Sequence, residues 1–146
     1  MPTRTARTAW NGTLEQGSGQ VELSSSKVGT YGVSFPKRAA DDAGGSTSPE
    51  ELIAAAHSAC YAMQLSAFIA EAGGTPQSLD VKADVTLGPD SAAGGFAITG
   101  IVLTVRGDVE GLDAAGFEAA AQKAKEGCPV SKALTGTTIT LDAGLE

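Results

Sequence analysis

The stretch TSPEELIAAAHSACYAMQLSAFIAEAGG, residues 47–74, decides the fold of this chain. Ser48 is a good N-cap, Pro49 suits the first helical position, and the Ser48-x-x-Glu51 spacing is that of a capping box. Two glycines at 73–74 end the apolar run and favour a helix stop. The sequence therefore predicts one long helix from Pro49 to about Ala72.

This helix is interrupted by polar and charged side chains, at Glu50, Glu51, His57, Gln64 and Glu71. The pattern indicates the core helix of a soluble protein and no membrane partner. The N-terminal segment MPTRTARTAW is positively charged but has no apolar stretch behind it, so it does not resemble a secretory signal. We expect a cytoplasmic protein, where a lasting structural disulfide would be unusual.

The size and charge of the chain narrow its class further. A length of 146 residues, with 42% hydrophobic content, predicts a single folded domain over residues 1–146. The net charge is −7, with only 10 Lys and Arg residues scattered along the chain. A basic face for nucleic acid is therefore not expected.

The remaining elements follow from turn residues and periodicity. Three strands are predicted before the helix, in TARTAWNG, GQVELSS and KVGTYGVSF, followed by the polar loop KRAADDAGGSTS. After the helix we expect a hairpin of VKADVTL and FAITGIVLTVRGDV, a helix with Phe117, Ala120, Ala121 and Ala124 on one face, a short helix from Pro129, and the strand TTITLDA. The predicted fold is α+β, in the order βββ-α-ββ-α-β, with sheets around the long helix.

The two cysteines of the chain lie in different settings. Cys60 lies about three turns into the long helix, too far from its N-terminus for much help from the dipole, so a cation from elsewhere is needed to lower its pKa. Cys128 lies at the predicted N-cap of the short helix, whose positive end stabilises a thiolate. Each cysteine also has a plain interpretation, Cys60 as an apolar core residue and Cys128 as a half-exposed turn residue.

Arg38 and Glu50 are the candidates for activating the thiol. Arg38 is predicted at the end of a strand and stays a cation at working pH. Glu50 has no capping duty and is free to hold Arg38 in a bidentate pair. The alternative is that Arg38 and Glu50 are ordinary surface charges with no role in activating the thiol. Glu50 and Cys60 are about 15 Å apart by helical rise, so a site that uses both requires two antiparallel copies of the helix.

His57, one turn before Cys60, leaves two alternatives open. It could act as the base of a Cys-His hydrolase, or it could be a hydrogen-bonded core residue. One histidine and two distant cysteines do not have the spacing of a metal site, and no cofactor motif is present.

At these residues the chain resembles the OsmC/Ohr family of thiol peroxidases, and within it the OsmC branch. The resemblance covers SPEELIAAAHSACYAM, KAKEGCPVSKAL and the closing TITLDA. The opening motif matches in part, since A-W-x-G runs from Ala9 to Gly12 but Thr8 stands where the family often has the first alanine of A-x-W-x-G.

The resemblance implies an intertwined homodimer with sites at the subunit interface. It also implies that Cys60 is the peroxidatic thiol and Cys128 the resolving one, with Arg38 held by Glu50 as the activating pair. Arg4 and Arg7, nearer the position of the arginine in the Ohr branch, lack the strand context. The expected function is the reduction of organic hydroperoxides, with a thiol or dithiol as reductant and no cofactor. A Cys60-His57 hydrolase and a non-catalytic dimeric binding protein are the alternatives.

Overall fold

The long helix predicted from the sequence is present in the computed structural model, which describes every residue from Met1 to Glu146. Helix α2 runs over Pro49–Glu71. The Glu51 N–H donates to the Ser48 hydroxyl oxygen at 3.1 Å, as expected of the cap. The other half of the predicted capping box is different, since the Glu51 carboxylate accepts from the Thr47 hydroxyl at 2.6 Å.

Helix α2 ends where the sequence predicts, by a Schellman arrangement. Gly73 has a φ of +89°, which an L side chain rarely adopts. Its N–H donates to the Ala70 carbonyl at 3.0 Å, and the Gly74 N–H donates to the Ile69 carbonyl at 2.9 Å. These bonds satisfy carbonyls that the helix end would otherwise leave unpaired.

The chain divides into two compact units, Met1–Leu52 and Ile53–Glu146, with the boundary inside α2. The prediction of a single domain stays a prediction. The first unit contains an antiparallel sheet in the order β1-β2-β3, with β1 at Arg7–Asn11, β2 at Ser18–Glu22 and β3 at Thr30–Val33. The three strands predicted in this region are confirmed.

A short helix, α1, follows β3 over Phe35–Ala39. The sequence interpretation was wrong here, because it extended the strand to Phe35 and placed Arg38 at a strand end. Ser34 caps α1 by accepting a hydrogen bond from the Lys37 N–H at 3.4 Å, and a proline lies in its first turn. This is a helix-start signal of the same kind as the one at Ser48.

The second unit contains the other sheet, in the order β4-β5-β6. Strands β4, Thr75–Pro89, and β5, Phe96–Glu110, form the predicted antiparallel hairpin. The strand predicted over Val81–Leu87 is longer in the structure, since β4 begins directly after the glycines that end α2. Strand β6, Ile139–Leu145, pairs parallel with β5.

Two helices connect β5 to β6. Helix α3 spans Ala114–Gly127, and α4 spans Pro129–Ala133. The four α3 residues predicted on one face are all buried. They belong to the core of the second unit, with Tyr61, Leu65 and Ile69 of α2, Leu103 and Val105 of β5, and Cys128. The predicted α+β class, with two sheets and one long helix, is confirmed.

Only one face of α2 is buried. His57, Tyr61, Leu65 and Ile69 repeat every four residues and are fully buried. Met63, on another face, is 70% exposed. By length and composition alone α2 could cross a membrane, as apolar core helices also could. The expected core helix is therefore buried on one side and leaves an apolar side uncovered in the single chain.

Candidate active site

The structure brings the two cysteines together. The sulfur atoms of Cys60 and Cys128 lie 3.0 Å apart, and both residues are free thiols. They are separated by 68 positions in the chain. Cys60 is half-buried on α2, whereas Cys128 is fully buried. At this distance one sulfur can share a proton with the other and can attack it once it is oxidised.

Cys128 is positioned by the junction of two helices. Its N–H donates to the Ala124 carbonyl at 2.9 Å and so ends α3, and the same residue is the N-cap of α4 with Pro129 next to it. The Cys128 side chain accepts no capping hydrogen bond from the first turn of α4. The setting predicted from G-C-P-V-S is therefore confirmed as a helix N-cap.

The two thiols differ in acidity. Burial raises the pKa of Cys60, and the adjacent Cys128 sulfur raises it further. Burial also raises the pKa of Cys128, but the hydrogen bond with Cys60 and the nearby polar groups of Ser131 and Val130 outweigh it and lower the pKa below the usual thiol value. A negative charge on the pair is therefore better stabilised at Cys128 in one chain. Cys60 needs a cation to become the nucleophile.

Arg38 and Glu50 form the predicted bidentate pair. The Arg38 Nε donates to both carboxylate oxygens of Glu50, at 3.1 and 3.2 Å, and Nη2 donates to Oε1 at 2.8 Å. Burial raises the pKa of the Glu50 carboxyl, but the hydrogen bonds and charge of Arg38, together with the Glu50 N–H and Ser48, lower it by more, so the pKa lies below its usual value. Glu50 is thus a carboxylate that fixes the guanidinium.

His57 makes its hydrogen bond away from the cysteines. Its Nε2 lies 2.7 Å from the Ser131 Oγ, and the ring is fully buried. Burial lowers the pKa of His57, so the ring is neutral. The structure agrees with the core-residue alternative, because the imidazole nitrogen of a Cys-His hydrolase would contact the thiol.

Ser131 is a site residue that the sequence interpretation missed. It occupies the third position of α4, is buried, and its hydroxyl oxygen lies 2.7 Å from His57 Nε2. The sequence did offer a signal for Ser131, because it lies three positions after the N-cap cysteine and a polar side chain at that helical position can reach back to the cap.

Two apolar cavities lie beside the candidate residues, one in each unit. The cavity in the second unit has a volume of about 380 Å³ and is lined by Ala56, Ala59, Cys60, Met63, Gln64, Ala67 and Pro129. The cavity in the first unit, of about 450 Å³, contains Arg38 among mostly apolar neighbours that include Trp10, Val33 and Leu52. Both suit an uncharged organic group. The structure has no group of three or more His, Cys, Asp or Glu residues placed to hold a metal ion.

The chain is similar to known proteins of one family. The profile of the family described as OsmC-like protein matches residues 41–142. The chain is 45% identical over 137 residues to Peroxiredoxin OsmC of Escherichia coli (strain K12), covering 94% of this chain and 92% of that protein. It is 38% identical over 102 residues to Organic hydroperoxide resistance protein OhrA of Bacillus subtilis (strain 168), covering 68% and 66%.

The fold is also similar to that of a solved structure. The crystal structure of an organic hydroperoxide resistance protein from Elizabethkingia anophelis superimposes with a TM-score of 0.79 at 26% sequence identity. The match covers 100% of this chain and 98% of that chain.

Proposed function

The chain belongs to the OsmC-like protein family, and from this premise we propose that it is a cysteine-based peroxidase that reduces organic hydroperoxides. The observation that carries the proposal is the 3.0 Å separation of the Cys60 and Cys128 sulfurs. A peroxidatic thiol needs a second thiol within reach if its oxidised form is to end as an intramolecular disulfide.

Cys60 is the peroxidatic residue in the proposed reaction. Its thiolate attacks one peroxide oxygen, an S–O bond forms, the O–O bond breaks, and the alcohol leaves after taking up a proton. The sulfur becomes a sulfenic acid. Cys128 then attacks this sulfur, an S–S bond forms, the S–O bond breaks, and hydroxide leaves as water. A thiol or dithiol reductant restores both thiols by disulfide exchange.

Arg38 supplies the cation that Cys60 lacks. Burial and Cys128 both raise the pKa of Cys60, so the thiolate needs a positive charge beside it. The guanidinium is already oriented by Glu50. It stabilises the thiolate and positions the peroxide.

A homodimer brings this cation to the thiol. Glu50 lies in the first turn of α2, and ten residues of helix, about 15 Å of rise, separate it from Cys60. Two antiparallel copies of α2 place Glu50 and Arg38 of one copy beside Cys60 of the other. The uncovered apolar side of α2, with Met63 exposed, supports burial against a second copy.

The apolar cavities favour organic hydroperoxides over hydrogen peroxide. The thiol opens into a cavity lined by alanines and Met63, and Arg38 borders another apolar cavity. We also infer a cytoplasmic location, since the proposed chemistry of the cysteines depends on cycling between thiol and disulfide.

Mixed dimers test the shared site. Glu50→Ala and Cys60→Ser subunits are each inactive alone, but a mixed dimer has one site with Cys60 and Cys128 from one chain and Arg38 and Glu50 from the other. Random pairing makes about half of the dimers mixed, so co-refolding should restore about a quarter of wild-type peroxidase activity.

The matched control for this experiment mixes Cys60→Ser with Cys128→Ser subunits. Both cysteines of a site come from one chain, so no mixed dimer contains a complete pair and turnover through the intramolecular disulfide stays absent. Mixed dimers of Glu50→Ala and Cys60→Ser that form, as shown by differently tagged subunits, but remain inactive would refute the shared site.

A further inference from the structure

The two sulfurs of the cysteine pair differ in their access from outside the protein. Cys128 is fully buried and belongs to the core of the second unit, whereas Cys60 is half-buried. The cavity of about 380 Å³ beside α2 is lined by Cys60 and by Pro129, but Cys128 does not line it. A reagent that enters this cavity therefore meets the Cys60 sulfur and not the Cys128 sulfur.

The chain on either side of Cys128 is also packed. The preceding residue, Gly127, lies against α2, since a Cβ added to it would be 3.1 Å from a ring carbon of Phe68. The Lys123 ammonium lies over the same ring, 4.4 Å from its centroid. The following residue, Pro129, forms part of the cavity wall. A second copy of the chain on the uncovered side of α2 can only add to this cover, so Cys128 stays buried in a dimer.

We propose that the reductant of the oxidised pair enters through the cavity beside α2 and attacks the Cys60 sulfur, so that Cys128 is the leaving group. The use of this step in turnover rests on the proposed function. A reductant thiolate forms an S–S bond with Cys60, the Cys60–Cys128 bond breaks, and its electron pair goes to the Cys128 sulfur, which takes up a proton. A second reductant thiolate attacks the reductant sulfur of the mixed disulfide and releases Cys60. The cysteine pair gains two electrons, and the reductant becomes a disulfide.

In this scheme Cys60 is the sulfur that reacts with every molecule from outside. The peroxide and then the reductant approach it from the cavity, whereas Cys128 reacts only with Cys60, whose sulfur is 3.0 Å away. Attack on Cys128 would instead require a reagent to pass through the packed core, which costs the free energy of local unfolding. The direction of disulfide exchange is therefore set by burial.

Trapping of the mixed disulfide shows which sulfur a thiol attacks. The wild-type chain is oxidised with diamide, which accepts two electrons and two protons from the thiols and so forms the disulfide without peroxide. It is then mixed briefly with excess 2-mercaptoethanol, an uncharged thiol that suits a cavity lined by no charged residue. Acid stops the exchange, free thiols are alkylated in denaturant, and the modified peptides are identified by mass spectrometry.

At the earliest times the mercaptoethanol adduct should be at least about tenfold more abundant on Cys60 than on Cys128, because access decides which sulfur is attacked. The alkylated thiol should correspondingly be that of Cys128.

A substitution in the cavity wall tests the entry route. Ala67 lines the cavity, whereas Ala70, three residues further along α2, does not, and both residues are exposed. Ala67→Phe should slow the reduction of the disulfide by 2-mercaptoethanol by about tenfold, because the ring narrows access to Cys60. Ala70→Phe is the matched control and should be reduced at close to the wild-type rate. In denaturant all three chains should be reduced at the same rate.

The outcomes separate this proposal from the proposed function. A first adduct on Cys128, equal adducts on both cysteines, or failure of diamide to join the pair would overturn the attack on Cys60. Equal rates for folded Ala67→Phe and wild type would overturn the entry route, and the trapping experiment needs no variant if Ala67→Phe fails to fold. Wild type that keeps its thiols in an organic hydroperoxide would instead refute the peroxidase function, and the trapped adduct would still decide which sulfur a thiol attacks.

Discussion

Removal of the Arg38 guanidinium should change the ionisation of Glu50. The Glu50 residue is only 7% exposed, and its carboxylate oxygens lie 2.8–3.2 Å from the guanidinium nitrogens. Burial raises the pKa of this carboxyl, and Arg38, together with the Glu50 N–H and Ser48, lowers it by more. In Arg38→Ala the hydrogen bonds and charge of the guanidinium are lost, so the pKa of Glu50 should rise.

The expected coupling free energy between Arg38 and Glu50 follows from the number of their contacts and from the exposure of their side chains. A hydrogen bond to a charged group contributes about 1.5–3 kcal/mol to stability, whereas an exposed ion pair contributes about 0–1 kcal/mol. Two guanidinium nitrogens contact Glu50, but the Arg38 side chain is 35% exposed and is partly screened by solvent. We therefore expect a coupling free energy of about 2 kcal/mol between the two side chains.

A double-mutant cycle measures this coupling. The free energy of unfolding is compared for wild type, Arg38→Ala, Glu50→Gln and the double variant at pH 7 and one protein concentration. The pH dependence gives a second readout. The Glu50 contribution in wild type should increase stability as pH rises through the acid range, because the unfolded chain holds the Glu50 proton more tightly. In Arg38→Ala the Glu50 contribution to this rise in stability should become smaller, because the pKa of Glu50 in the folded chain is then lowered less.

The exposed pair of Lys82 and Asp84 is the matched control. Its charged atoms are 2.9 Å apart, but the side chains are 66% and 54% exposed. Its own cycle, with Lys82→Ala and Asp84→Asn, should give a coupling below about 0.5 kcal/mol. If the Arg38–Glu50 coupling is as small as this control, or if the pH dependence of stability in Arg38→Ala equals that of wild type, Glu50 does not hold the guanidinium as we argue.

Two further predictions concern the cysteine pair and the core. In Cys128→Ser, Cys60 should still be oxidised by peroxide but should remain a sulfenic acid or form a mixed disulfide. An unmodified Cys60 in mass spectra would contradict the separate roles of Cys60 as the peroxidatic thiol and Cys128 as the resolving thiol. Tyr61→Phe should lower stability by about 1 kcal/mol, because the buried phenol donates to the Ala121 carbonyl at 2.9 Å. Exposed Tyr31→Phe is the control, and equal unfolding midpoints for both variants would show that the buried bond contributes nothing.

Local sequence signals were sufficient for most of the fold. The cap at Ser48, the glycines after α2, and the alternation in β4 all act within a few residues, so they could be recognised without the structure. The missed helix α1 has a signal of the same kind at Ser34, but the preceding β-branched and aromatic residues favoured a longer strand. The extension of β4 toward Thr75 depends on pairing with β5, which the local pattern does not contain.

The candidate site depends on contacts that local patterns cannot give. Sequence alone assigned the helix N-cap at Cys128, but its 3.0 Å approach to Cys60 joins positions 68 residues apart. The family resemblance supplied that pairing as an expectation. Ser131 was missed because its contact with His57 joins positions 74 residues apart and exists only in the folded chain.

A titration of free thiols before and after one molar equivalent of an organic hydroperoxide tests the peroxidase mechanism most directly. The chain has two cysteines, and wild type should rapidly lose both thiols to an intramolecular disulfide while the peroxide is consumed. Cys60→Ser should keep its remaining thiol and consume no peroxide. The proposed mechanism would be contradicted if wild-type thiols survive the peroxide, or if Cys60→Ser consumes it at the wild-type rate.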